Sequence, residues 1–167
     1  MDIKSIRWKR HFITLAIFLV IYLGIRAYQL RDYSEGTAPL FSAVSVEDQV
    51  INLRDYRGEP VLIYFWADWC PVCKFERGAI EGLSEDYPVI TVASWSESFT
   101  GVRQYFSTEA ARKATIYDPQ GELAGRYGIS GVPSFFILDA DGQIRFIERG
   151  YTSSLGLRLR LILAKHL

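Results

Sequence analysis

A chain of 167 residues, 49% apolar and 23% charged, has room for one ordinary domain with its own core plus a short appendage, which excludes a disordered tail. Formal net charge is zero, yet residues 1–31 carry six Lys/Arg against one acid, so residues 32–167 carry thirteen against eighteen, a net of −5. A domain of that sign without a basic run is badly matched to phosphate backbones, which sets nucleic acid aside as a partner.

The first predicted element is a membrane segment. Lys4, Arg7, Lys9 and Arg10 precede FITLAIFLVIYLGI, uncharged from Phe12 to Ile25. That stretch of helix rises only ~21 Å against a hydrocarbon core of ~30 Å. Extension through Arg26, whose long stem can snorkel, to Tyr28 makes a marginal span. A cleaved signal peptide is the competing reading, but RAYQLRDY offers no small-x-small cleavage site. The expected organisation is therefore a cytoplasmic N-terminus at 1–11, a transmembrane signal anchor at 12–28, a tether at 29–40 and an exported domain at 41–167. The tether reading rests on QLRDYSEGTAPL, polar and without period.

Within the domain, FSAVSV and QVINLRDY are short, β-rich and separated by Glu47-Asp48, which predicts a small hairpin. PVLIYFW is a continuous apolar run of strand length, as in a strand covered on both faces. Helical spacing follows from Cys70 to about Asp86, with Phe75, Ala79, Ile80 and Leu83 on one side. PVITVAS repeats the buried-strand pattern. A weaker helix is expected from Phe99 to Ala111, then a KATIY strand and a helical turn in GELAGRYG. SFFILDADGQIRFIERG reads as an antiparallel hairpin turning at Asp/Gly, and SSLGLRLRLILAKHL as a closing helix capped by serine. A βαβ unit, a hairpin and a final helix imply a mixed central sheet flanked by helices.

The stretch WADWCPVCKFE holds both cysteines of the chain, Cys70 and Cys73. As a metal site it supplies two soft ligands where zinc takes four, and the two histidines, His11 and His166, stand at opposite ends. Haem attachment usually needs histidine directly after the second cysteine, and that position is Lys74. A permanent disulfide between them would close too short a loop to constrain the unfolded chain much. Redox exchange fits the placement better. If the strand ends at Trp66 and a helix begins at Cys70, unpaired N–H groups and the helix dipole favour a thiolate there. Pro71 suits the first helical position. An exposed, acidified Cys70 would attack, and Cys73, one turn deeper, would resolve the mixed disulfide.

These residues carry a resemblance. YFWADWCPVC resembles the active-site segment of thioredoxin-fold proteins, and the fuller pattern over residues 41–167 resembles membrane-anchored bacterial protein disulfide oxidoreductases of the TlpA and ResA-like kind, nearest the ScsD-like group. The resemblance implies a thioredoxin fold facing the periplasm from the inner membrane, with no cofactor beyond the dithiol. It also implies a cis-proline opposite the dithiol, for which Val132-Pro133 in GISGVPSFFIL stands in place, although the same residues could form any loop before a strand. Trp69, Pro71, Val132 and Pro133 become the candidate client-binding residues. Trp66, Tyr127 and Phe135 are expected in the core, and Trp95 either lines the same groove or is an ordinary loop aromatic.

Glu76, three residues after Cys73, lies on the same helix face, where a half-buried carboxylate could take the proton as Cys73 attacks. ResA-like proteins have an acid at the matching position, and ordinary thioredoxin has an aspartate where Tyr64 stands here. A solvated helix glutamate is the plainer reading. Direction of exchange does not follow from Pro71-Val72, and resemblance alone favours a reductant recharged by a membrane electron donor, acting on client proteins. The alternative is a copper-handling module using the dithiol as a Cu(I) ligand. Ala67 stands where a peroxidatic motif has threonine, which argues against a peroxidase.

Overall fold

The computed structural model describes residues 3–30, 33–34 and 36–167, and these form two compact units, one reaching to Asp32 and the other running from Tyr33 to the end. The first unit is helix α1 (Ile3–Leu30), 28 residues and so about 42 Å long at ~1.5 Å per residue. Every described side chain from His11 to Ile25 is exposed. Among the described residues, no helix is long and apolar enough to cross a membrane. The side chains of Lys4, Arg7, Lys9, Arg10 and Arg26, on which the expected topology and span depend, lie outside the described residues, as do Arg31, Asp32 and Glu35 of the expected tether.

The second unit begins earlier than position 41. The Tyr33 hydroxyl pairs with Ser134 Oγ at 2.9 Å, its ring lies 5.6 Å from that of Phe136, and Ala38 is buried. Part of the segment expected as tether therefore packs on the domain, because Tyr33 and Ala38 supply apolar surface that a polar average over QLRDYSEGTAPL conceals.

Strands β1 (Ser42–Val44) and β2 (Val50–Asn52) pair antiparallel as the expected hairpin, followed by a 3₁₀ turn at Leu53–Tyr56. The main sheet is built from β3 (Val61–Trp66), β4 (Val89–Ser94), β5 (Thr115–Asp118), β6 (Ser134–Leu138) and β7 (Ile144–Arg149), in the order β5-β4-β3-β6-β7. β3, β4 and β5 run parallel, while β6 and β7 are antiparallel, giving the expected mixed sheet. Helix α2 (Pro71–Ser84) crosses from β3 to β4. Two short helices, α3 (Phe99–Arg103) and α4 (Glu109–Lys113), replace the single helix expected there. The break has a physical cause: Tyr105 and Phe106 turn inward onto Trp66, with ring centroids 3.9 and 5.3 Å away, and Glu81 of α2 accepts hydrogen bonds from the amide and hydroxyl of Ser107. α5 (Glu122–Arg126) and α6 (Ser154–Ala164) complete the fold, the latter capped by Ser153 Oγ accepting from the Gly156 amide at 3.2 Å.

Central β3 is buried at all six positions, which is what an unbroken apolar run requires. Leu62, Tyr64 and Trp66 share one core with Ile80 and Leu83 of α2 and Leu157 and Leu161 of α6. Phe65 packs with Tyr127 and Phe136 at centroid distances of 5.2 and 5.8 Å. Fully burying each such side chain contributes about 1.5–3 kcal/mol. Both Tyr127 and Phe135 lie in the core as expected.

Candidate active site

The loop after β3 delivers the dithiol to the N-terminus of α2. Cys70 is the N-cap residue, in extended backbone conformation, and its Sγ accepts a hydrogen bond from the Cys73 amide at 3.2 Å. Pro71 occupies the first turn, where its missing N–H leaves nothing unpaired. The two cysteines form a disulfide with their Cα atoms 5.3 Å apart. Cys73 is fully buried, and Cys70 is only 3% exposed. The expectation of an exposed Cys70 is corrected here: paired with Cys73, its sulfur is turned into the first turn of α2 and joins the core cluster that contains Tyr64, Trp66 and Ala67. What solvent meets is the rim, with Pro71 exposed and Trp69 54% exposed.

That rim is built by the sheet. β3 pairs antiparallel with β6 so that Phe65 faces Ser134, which sets Pro133 beside the point where β3 gives way to the cysteine loop. The Val132–Pro133 peptide is cis, Pro133 is buried, and half-buried Val132 packs against the cluster holding both cysteines. On the other side, Trp69 Nε1 donates to the Trp95 carbonyl at 2.8 Å. Trp95 adopts φ +55°, and its indole lies over Gly121, where a Cβ would fall 2.1 Å from Nε1. Trp95 thus contributes its backbone oxygen to the site and its ring to the β5–α5 turn.

Glu76 is almost wholly buried, at 1% exposure. The inward stripe of α2 is Cys73, Glu76, Ile80 and Leu83, not the expected Phe75, Ala79, Ile80 and Leu83, and Phe75 is 83% exposed. The dithiol sets this phase: with Cys73 turned inward, positions three, seven and ten residues on follow it, and Phe75 is rotated about 100° away from Glu76. Oε1 of Glu76 accepts the Thr152 amide at 2.8 Å and Oε2 accepts the Tyr64 hydroxyl at 3.4 Å. Burial pushes the carboxyl up to about 7, against the pull of those two donors, so it changes charge near neutrality. Burial also raises the Tyr64 hydroxyl, and it carries Tyr105 up to about 12.

Thr152 was not visible as a site residue, because a backbone donor 76 positions away leaves no mark in side-chain type. Its loop is itself tied to the proline: the Gly150 amide donates to the Pro133 carbonyl at 2.9 Å. Among the described residues, no group of three or more His, Cys, Asp or Glu converges as a metal site.

Residues 35–147 match the AhpC/TSA family. The chain belongs to that family. Over 134 residues it is 36% identical to a thioredoxin-like protein of Haemophilus influenzae, covering 73% of this chain and 80% of the relative. It is 25% identical over 133 residues to the thiol-disulfide oxidoreductase ResA of Bacillus thuringiensis, covering 77% of each. The exposed lipoprotein thioredoxin of Streptococcus pneumoniae superposes with a TM-score of 0.65 at 24% identity, covering 75% of this chain and 99% of that one, which establishes the thioredoxin fold. This AhpC/TSA member is an enzyme of the thiol–disulfide oxidoreductase class, of the DsbE/ResA type.

Proposed function

We propose that this AhpC/TSA protein is a membrane-anchored, extracytoplasmic reductant that exchanges disulfides with client proteins through Cys70 and Cys73. Cys70 attacks the client disulfide, and Cys73 displaces the client from the resulting mixed disulfide. Glu76 accepts the Cys73 proton, and Trp69, Pro71, Val132 and Pro133 hold the client chain against the rim. The dithiol is the whole redox equipment, recharged by a membrane electron donor, and α1 is the lipid anchor that keeps the domain in the periplasm. The observation that carries the exchange reading is the sulfur of Cys70 at the N-cap of α2, accepting the Cys73 amide, with Cys73 fully enclosed behind it. A helix N-terminus stabilises the thiolate of the outer cysteine, and burial keeps the inner one protonated until it acts. The anchor reading is supported by the exposed apolar side chains from Phe12 to Ile25.

Direction is tested by the reduction potential of the Cys70–Cys73 pair, equilibrated against glutathione. Potentials in this fold run from about −270 to about −120 mV, and a reductant belongs near the negative end. A value near the positive end would overturn the reductant role and leave an oxidant.

A further inference from the structure

Next to the dithiol, α2 presents a face that the fold itself does not explain. Pro71 is exposed, Val72 is 39% exposed and Phe75 is 83% exposed. On a helix these three are neighbours, since Phe75 follows Pro71 by four positions and Val72 by three. A helical side chain leans toward the N-terminus, so Phe75 covers the outer side of the turn that carries Pro71 and Val72, on the face turned away from Cys73. Continuing along the same face, positions 78 and 82 are glycines, and a Cβ built at either would meet nothing within 4 Å. Glycine destabilises a helix interior relative to alanine. No neighbour within the domain demands it here. The result is an aromatic ridge near the redox centre followed at Gly78 by bare helical backbone, open to close approach from outside, whereas the Gly82 carbonyl is already taken by Arg158 at 3.2 Å.

We propose that the outward face of α2, from Pro71 through Phe75 to Gly78, is the surface along which a protein client lays an apolar segment adjoining its reacting cysteine. The occupant is a client polypeptide because the face adjoins, through Pro71, the sulfur that any client must reach, and with Cys70 only 3% exposed a bulky client chain gains access by seating on the rim around it. A small thiol needs no such seat. A chain carrying a leucine or aromatic residue beside its cysteine can cover Phe75 and run over Gly78. The proposal rests on Cys70 being the sulfur that meets the client.

The test uses the reduced full-length chain and two synthetic peptides, each bearing one cysteine as its mixed disulfide with thionitrobenzoate. In one the cysteine is flanked by leucines, in the other by serines. Each turnover converts one peptide mixed disulfide into two thiols while the Cys70–Cys73 dithiol becomes a disulfide, so released thionitrobenzoate reports the exchange. The chain should react about tenfold faster with the leucine peptide, as expected for one partly buried apolar contact. Phe75→Ser should abolish that preference and leave the serine peptide unaffected, whereas Phe75→Leu should keep most of it. Gly78→Leu, which fills the bare backbone, should lower the leucine-peptide rate alone. A preference that survives Phe75→Ser, or an equal loss on both peptides, would overturn the docking face. So would a wild-type chain that sediments as a dimer and a Phe75→Ser chain that sediments as a monomer, which would give the face to a second copy. Undiminished release by Cys70→Ala would remove the nucleophile assignment beneath the proposal, through a separate readout.

Discussion

The backbone amide of Thr152 donates to Oε1 of Glu76 at 2.8 Å, so a residue in the β7–α6 loop holds the carboxylate that α2 buries one turn beyond Cys73. A donor to the charged form lowers the carboxyl pKa, opposing the burial that raises it. Thr152→Pro removes that N–H, together with the longer Thr152 Oγ1 bond to the Gly150 carbonyl at 3.3 Å, and leaves the carboxylate only the Tyr64 hydroxyl at 3.4 Å. The rate of exchange should rise with pH through about 7 in the parent chain, as Glu76 becomes able to accept a proton. In Thr152→Pro the midpoint of that limb should move upward by about one unit, while Thr152→Ser, which keeps the amide, should leave it in place. The groups bearing on Glu76 are otherwise Tyr64 from β3 and Tyr105 from the α3–α4 connection.

The same carboxyl links pH to stability. Its folded value of about 7 stands above the ordinary 4.5. Between those values the folded chain binds more protons than the unfolded one, so stability is fully present below about 4.5 and falls as pH rises through about 7. At ~1.4 kcal/mol per unit, the loss is on the order of 3 kcal/mol. Denaturant titrations of the oxidised chain should show that decline, and Glu76→Gln should flatten it while slowing exchange. An unchanged exchange rate in Glu76→Gln would retire the proton-acceptor role.

The strands and the dithiol were legible because their signals are local. The run from Val61 to Trp66 has no polar break and so demands cover on both faces, and Cys70-Pro71 carries the cap and first-turn preferences of a helix start. Phe75 was misplaced because hydrophobicity alone sets the phase of a helix only when no other group claims it, and here Cys73 and Glu76 take the inward stripe. The helix across Phe99 to Ala111 breaks because two aromatic rings find Trp66, a tertiary contact without a local signature. Thr152 and the Trp95 carbonyl act through backbone atoms, which every residue carries.

Trp69 is positioned indirectly, and Gly121 is where that shows. Its φ of +71° disfavours any side chain, and a Cβ would lie 2.1 Å from the Trp95 indole nitrogen. Gly121→Ala must displace the indole, and with it the carbonyl that holds Trp69. A stability loss of about 1–3 kcal/mol is expected, with a weaker exchange rate on protein clients and a changed tryptophan fluorescence. Unaltered fluorescence and rate would show that Trp95 does not set Trp69.

The two cysteines should fail in different ways. Without Cys70 there is no sulfur at the helix N-terminus to form the first mixed disulfide, so Cys70→Ala should have no exchange activity and should trap nothing. Cys73 is fully buried, and its removal leaves Cys70 able to attack but unable to be relieved. Cys73→Ala should therefore accumulate as a covalent adduct with its clients, resolved on non-reducing gels and released by dithiothreitol. Alanine is smaller than cysteine at a fully enclosed position, so a modest stability loss of about 1 kcal/mol should accompany the trap. Adducts on Cys70→Ala in place of Cys73→Ala would reverse the order of attack, and the rim of Trp69 and Pro71 would then guard the wrong sulfur.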